Sequence, residues 1–336
     1  MNELADEFYE KAIVLMRHST NSSGIRKMIR LFKKADKLGS LNATVYLGML
    51  YETGYYIKKD LEKSKCLFQK AANEGDRFGE FNLGRLLYHE RKYEEAISWW
   101  MKAITKNETH SKVFLGIAYE KGHGVEKNIE KAIEFFRSAE IDGDPDAFCQ
   151  LALCYRDGLG VEKNTEKMNE LITKAREKDH PYAWELTGNM YLEGMLPAPD
   201  PIQSALECYE KAASFGEVNS QVWCGEYYTL GPSDKRNHKK GVKFLEYAIK
   251  AGDPRAKYLK SVLMALGMEC KKNPKAAYLL CKEAASDGER DAQHMLGLML
   301  QQGDGVKENI SKAIYWFEKA ASQGHEKARE RLKSLD

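Results

Sequence analysis

The chain closes a unit about every 36 residues, and a period of that size limits its fold more than anything else in it. Glycines end successive units at Gly39, Gly75, Gly143, Gly216, Gly252, Gly288 and Gly324, while Asn107 and Asp179 stand at the two steps without a glycine. The steps run 36, 32, 36, 36, 37, 36, 36 and 36 residues. A unit this short is a single supersecondary element that cannot bury its apolar face alone, so neighbours must stack into one continuous core.

Each unit holds two helical stretches. The first reads Ala43-x3-Leu47-Gly48-x2-Tyr51, and it recurs as Leu83-Gly84, Leu115-Gly116-x2-Tyr119 and Ala147-x3-Leu151-Ala152-x2-Tyr155. It returns as Ala183-x4-Gly188-x2-Tyr191, Cys224-Gly225-x2-Tyr228 and Ala292-x3-Leu296-Gly297. Spacings of three and four put these residues on one helical face. A glycine inside a helix costs ~1 kcal/mol against alanine, so close approach of a neighbouring helix is expected there. The second stretch reads Lys312-Ala313-Ile314-x-Trp316-Phe317-x-Lys319-Ala320-Ala321, with counterparts at Ala96-x2-Trp99-Trp100, Ala132-x2-Phe135-Phe136 and Ala205-x2-Cys208-Tyr209. Trp99 aligns with Phe135 and Trp316 and is assigned to the core, as are the recurring tyrosines and the packing residues Trp184 and Trp223.

Between the helices a loop repeats as Gly122-His-Gly124-Val125, Gly158-Leu-Gly160-Val161 and Gly303-Asp-Gly305-Val306. Asn128, Asn164 and Asn309 then serve as N-caps, with Asp60, Asp200-Pro201 and Asn273-Pro274 in the same role elsewhere. A Gly-x-Gly loop ahead of a helix can mimic a phosphate cradle, but no strand precedes it and it recurs as a joint. The fold class expected is all-α, about nine antiparallel helix pairs with a C-terminal cap helix.

These residues closely resemble the Sel-one-like repeat, a longer-looped relative of the tetratricopeptide repeat, over residues 40 to 324. The resemblance implies a right-handed α-solenoid, a superhelix whose first helices line the concave face. The expected divisions are a degenerate pair at 1–39 and repeats at 40–75, 76–107, 108–143, 144–179, 180–216, 217–252, 253–288 and 289–324, then a cap at 325–336. Unit 76–107 has a loop four residues short, nearer a tetratricopeptide unit. Unit 253–288 has Lys260-Ser261 where Leu-Gly is expected and Met264 in place of tyrosine. The family's secreted branch bridges a regular cysteine pair in each repeat. Here the seven cysteines, Cys66, Cys149, Cys154, Cys208, Cys224, Cys270 and Cys281, do not recur per unit, and are read as reduced thiols of a cytoplasmic protein.

Composition narrows function further. Charged residues make up 30% of the chain yet balance to +2, without the basic stripe of a duplex-binding protein. The Lys235-Arg236 and His238-Lys239-Lys240 runs are short and read as solvated loop. No stretch approaches the ~20 apolar residues of a membrane span, and the N-terminal residues lack a secretory pattern. His89-Glu90 and His325-Glu326 have no second histidine four residues on, and there is no Cys-x-x-Cys, Ser-x-x-Lys or Gly-x-Ser-x-Gly. No catalytic residue, cofactor or metal ligand is therefore expected.

Carried over position by position, the tetratricopeptide geometry puts Phe78, Phe81, Arg85, Tyr88 and His89 in the groove, followed by His110, Val113 and Glu120. A second group is Arg156, Tyr182, Glu185, Asn189 and Glu193, continuing to Glu226, Arg255 and Tyr258. Aromatics beside Arg and Asn have the character of interface hot spots. The function expected is a monomeric, non-enzymatic adaptor for another protein or an extended peptide. A small-ligand-responsive sensor and a self-assembling scaffold are the alternatives.

Overall fold

The computed structural model describes residues 3–18, 21–54, 56–268 and 272–335; Cys270 and the Ser19-Thr20 part of the first polar joint lie outside them. Among the described residues there are nineteen helices and no strand, and the chain forms two compact units, residues 1–178 and 179–336. The first unit runs α1 (Glu3–His18), α2 (Ser22–Lys37), α3 (Leu41–Thr53), α4 (Leu61–Asn73), α5 (Arg77–His89), α6 (Tyr93–Ile104), α7 (His110–Lys121), α8 (Ile129–Ile141), α9 (Pro145–Asp157) and α10 (Thr165–Glu177). The second runs α11 (Pro181–Leu192), α12 (Pro201–Ser214), α13 (Val218–Leu230), α14 (His238–Ala251), α15 (Pro254–Leu266), α16 (Pro274–Ser286), α17 (Arg290–Gln302), α18 (Ile310–Ser322) and the short α19 (Glu326–Lys333). In each unit the helices pair as hairpins and the hairpins stack in chain order. The fold is an all-α helical repeat.

Polar side chains set the helix starts as the sequence indicates. Asn128, Asn164 and Asn309 each accept the backbone N–H three residues on, at 2.8, 2.9 and 2.9 Å. Asp60, Asp200 and Asn273 do the same at 3.0, 3.0 and 3.1 Å. The stops are left-handed: Gly75 has φ +79 and Gly252 φ +94, and Asn107 and Asp179 keep that conformation at φ 60 and 53. Asparagine and aspartate are the side-chain-bearing residues that tolerate it best, so the period survives where glycine is missing. The turn then closes tightly, as in Asp76 N–H donating to Ala71 O at 3.0 Å and Asp253 N–H to Ala248 O at 3.0 Å.

The glycines at the Leu-Gly register of the first helices answer to one facing side chain each, a ring everywhere except at Gly225, which meets Leu245. A Cβ added at Gly48 would lie 2.5 Å from Phe68, at Gly84 2.5 Å from Trp100, at Gly188 3.0 Å from Tyr209 and at Gly297 2.5 Å from Phe317. The facing residue belongs to the second helix of the same hairpin. Where the first helix carries more than hydrogen, the residue twenty positions on, the spacing of Gly48 to Phe68 and Gly297 to Phe317, is not aromatic: Ile172 for Ala152 and Cys281 for Ser261, all four buried. That complementarity explains why the Lys260-Ser261 departure is tolerated. It also corrects the aromatic assignment. Trp100, Phe136 and Phe317 are fully buried, whereas Trp99 packs on that core from its edge, half-buried, with the Lys102 ammonium 3.9 Å from its ring centroid.

The recurring tyrosines likewise sit half-buried. Tyr51, Tyr119, Tyr155 and Tyr228 lie under Lys63, Lys131, Lys167 and Lys240 at 5.6, 5.3, 5.3 and 4.5 Å. Each lysine is in the first turn of a second helix, where the helix dipole disfavours a cation; the ring face offsets this. Of the six described cysteines, Cys66 is exposed and the others are buried. Burial raises the Cys154 and Cys281 thiols to about 12.

Candidate functional site

Within each unit the first helices of successive hairpins also touch one another: α3 meets α5, α5 meets α7, α7 meets α9, α13 meets α15 and α15 meets α17. No comparable pairing joins the second helices among the described residues. First helices are thus the more crowded side of each stack, which is the inner side of a curved one. Most of the expected groove residues fall at the second, fifth, ninth and twelfth positions of these helices; in α7, which starts one residue later, His110, Val113 and Glu120 are the first, fourth and eleventh, while His89 ends α5 and Glu193 follows α11.

In the first unit, Phe78 is 40% exposed with the Arg77 guanidinium 4.7 Å from its ring. Phe81 packs edge-on to Phe114 at 5.5 Å and against His110 at 5.7 Å. Arg85 is held by Glu52 at 2.5 Å and by Asn82 Oδ1 at 3.3 Å. Tyr88 shares a 2.7 Å hydrogen bond with His123 Nδ1 and packs 4.9 Å from Tyr93, with its phenol raised by burial. His89 is exposed and Glu120 half-buried, while Val113 is 2% exposed and belongs to the core rather than the groove. Arg156 donates to both oxygens of Asp157 at 2.8 and 2.9 Å.

His110 Nδ1 lies 2.8 Å from Asp144 Oδ2. The bond to Asp144 is the largest cause holding the imidazole up at about 9, against its burial. Burial alone would raise Asp144, but the bond and charge of His110 outweigh it and keep the carboxyl low. His110, Asp144 and Asp146 offer donor atoms within 4.8 Å of one another, a set chemically able to hold a cation. However, α7 and α9 begin there, and two positive helix ends favour an anion. The Asp144 carboxylate, kept low, supplies that anion, and His110, raised to about 9, is its counter-charge.

In the second unit, Glu185 accepts from Ser220 Oγ at 3.2 Å, and burial, then Glu217, raises its carboxyl. Asn189 Oδ1 accepts the Tyr209 hydroxyl at 2.5 Å, Tyr182 is half-buried and Glu193 exposed. Arg255 joins Glu226 at 3.1 Å, Asp291 at 3.6 Å and Glu289 at 4.0 Å. Tyr258, its phenol pushed by burial to about 12, lines a cavity of about 620 Å³ among α15, α17 and α19. Val262, Leu266, Met295 and Leu298 give this cavity apolar walls, and Arg290, Asp291, His294, His325, Glu326 and Lys327 a polar rim of both signs.

The structure thus joins Phe81 with His110, and Glu226 with Arg255, and gives the arginines partners on their own face. The sequence reading passed over Glu52, Phe114, Asp291 and His294. His294 has the register of Phe81, Glu185 and Tyr258, so spacing alone was signal enough to place it.

The sequence model of the Sel1 repeat matches residues 41–76, 110–144, 145–180, 185–214, 218–253, 263–289 and 290–325. Residues 77–109, which include the shortened loop, are unmatched. Among solved structures, a Sel1 repeat protein from Oxalobacter formigenes superimposes with a TM-score of 0.62 at 28% identity, covering 72% of this chain and 99% of that one. A protective antigen present in uropathogenic Escherichia coli strains, displaying an SLR fold, gives 0.57 at 25% identity over 98% of this chain and 79% of its own. A curated sel1-like repeat-containing protein of Acanthamoeba polyphaga mimivirus is 32% identical over 89 residues, 26% of this chain; the matched stretch spans 16% of that relative's length.

Proposed function

The chain belongs to the Sel1 repeat family, and we propose that it is a non-enzymatic, monomeric, cytoplasmic adaptor that holds a peptide or partner protein on its first-helix face. The observation that carries this reading is preorganisation. Arg255 and Glu226 stay 43% and 41% exposed while fixing each other at 3.1 Å, and Phe78 is 40% exposed on a rigid helix. Groups held in place before binding lose little freedom on contact, so several moderate contacts on consecutive hairpins add up. Half-buried Phe81, Tyr88, His110, Tyr182 and Tyr258 supply the large contact areas. Among the described residues no helix is long and apolar enough to cross a membrane.

Capture experiments test this with an inner-face and an outer-face variant. Phe78→Glu combined with Leu266→Asp should lose the specific partners of the intact chain. Ile141→Glu, on a second helix and 85% exposed, should keep them. Equal capture by all three proteins would remove the reading.

A second reading, a small-ligand-responsive sensor, draws on the cavity of about 620 Å³, a size typical of ligand sites. A ligand-dependent rise in melting temperature across a metabolite library would favour it. Light scattering over a concentration series decides the scaffold alternative, since a monomer throughout leaves no assembly.

A further inference from the structure

We infer that the first-helix face of the second unit receives a basic partner segment whose lysine or arginine side chains meet Glu185, Glu193 and Glu226, while one large apolar side chain enters the cavity among α15, α17 and α19. This rests on the reading of that face as the docking surface and adds the chemistry of the occupant.

Charge is the first argument. The whole chain carries +2, yet this face is anionic. Arg255 is its one cation at the second, fifth, ninth and twelfth helix positions among the described residues, and it already serves Glu226, Asp291 and Glu289 within 3.1, 3.6 and 4.0 Å; Arg290, paired with Asp291 at 3.2 Å, and Lys327 stand only at the cavity end. Glu185 is half-buried, with Ser220 as a neutral partner at 3.2 Å and no ion pair among the described residues. Glu193, the residue that follows α11, is exposed and likewise without an ion pair among the described residues. A carboxylate kept partly from water gains most from a cation brought to it. An acidic partner would meet uncompensated repulsion at Glu185 and Glu193.

The apolar end is the second argument. Leu266 is 59% exposed and, with Val262 on its own helix and Met295 and Leu298 on α17, lines a space of about 620 Å³. That volume accepts a leucine, methionine or aromatic side chain with room for its backbone. Helix axes pack roughly 8–10 Å apart, so three steps from α11 to α17 cover roughly 25–30 Å. An extended chain spans that in about eight or nine residues at ~3.3 Å each.

The test is selection of a displayed random nine-residue peptide library on the whole chain, followed by fluorescence anisotropy of the selected peptides. Lysine- or arginine-rich peptides with one large apolar residue are expected. Their affinity should fall about tenfold in Glu185→Gln/Glu193→Gln, fall again in Leu266→Asp, and weaken as salt rises. Glu193 and Leu266 are exposed, so Glu193→Gln alone and Leu266→Asp keep the test free of folding effects. Acidic or uncharged peptides that still depend on Leu266 would overturn the basic occupant and leave the adaptor reading standing. Peptides indifferent to Leu266→Asp and Phe78→Glu alike, or no enrichment at all, would overturn both.

Discussion

Gly116 on α7 faces Phe136 on α8 so closely that a Cβ at Gly116 would lie 2.6 Å from the ring Cδ1, and that ring is completely buried. The glycine is there for the ring, against its own helix propensity. Gly116→Ala should therefore destabilise: overpacking costs roughly 1–3 kcal/mol, partly offset by the ~1 kcal/mol that alanine gains in a helix. Copying the Ala152/Ile172 solution in the double variant Gly116→Ala/Phe136→Ile should recover part of the loss. A double-mutant cycle in urea would show this as a favourable coupling between the substituted residues. Additive losses would mean the two positions do not constrain each other.

The Gly-x-Gly loop contains two glycines with the same backbone and different neighbours. Gly122 has φ +71 and its nearest foreign atom would be Lys127 Cβ at 3.2 Å; Gly124 has φ +72 but would place a Cβ 2.7 Å from Tyr93 Cβ and 2.8 Å from the Glu94 nitrogen. Both alanine variants incur the left-handed penalty of roughly 1–2 kcal/mol. Only Gly124→Ala must also push the loop off the start of α6, so it should melt lower than Gly122→Ala by several degrees. Equal melting temperatures would mean the loop is not clamped to the preceding hairpin.

These contrasts explain how far the sequence was readable. The period, the caps and the left-handed stops at Asn107 and Asp179 are local chemistry, and local chemistry is written in residue type. The phase of each aromatic pair was not readable. Trp99 and Trp100 differ by ~100° of helix rotation, and only the position of Gly84 on the facing helix decides which one goes inside. Size mattered at a shared register: Val113 vanishes between helices where Phe81 projects. The partner of Arg85 is Glu52, 33 residues earlier on the neighbouring hairpin, a spacing that no rule for a single helix anticipates. Groove residues were therefore placed as a face, and their electrostatic neighbours were not.

His110 gives the first unit a pH signature. Its pKa is raised from the ordinary 6.5 to about 9 in the folded chain, so folding takes up a proton between those values. The stabilisation is complete below about pH 6.5 and disappears as pH rises through about 9. The side chain is 46% exposed, which limits the effect to about 1 kcal/mol or less. The melting-temperature gap between the natural chain and His110→Gln should be steady near pH 6, shrink from 6.5 to 9, and close above that. A gap that persists at pH 10 would trace it to packing on Phe81 instead of the ion pair.

His294 should act in the opposite direction at the other end. Its pKa is lowered to about 4 by burial first, then by His325, Lys327 and Arg331, with Asp291 opposing. Its ring stacks on His325 at 4.2 Å and lies 5.8 Å from Phe317, and His325 Nδ1 accepts the Ala328 N–H that starts α19. Between about pH 6.5 and 4 the unfolded chain binds a proton that folded His294 refuses, so stability falls with pH across that window. Protonation forced on the folded state would set a cation in the buried stack at the root of α19, close to Lys327 and Arg331. Amide exchange in α19, corrected for intrinsic pH dependence, should accelerate over this range before α17 and α18 respond, with a fall in melting temperature of roughly 2–4 °C per kcal/mol lost. His294→Leu should keep α19 protected to lower pH, and identical acid profiles for the two proteins would assign the loss to another group.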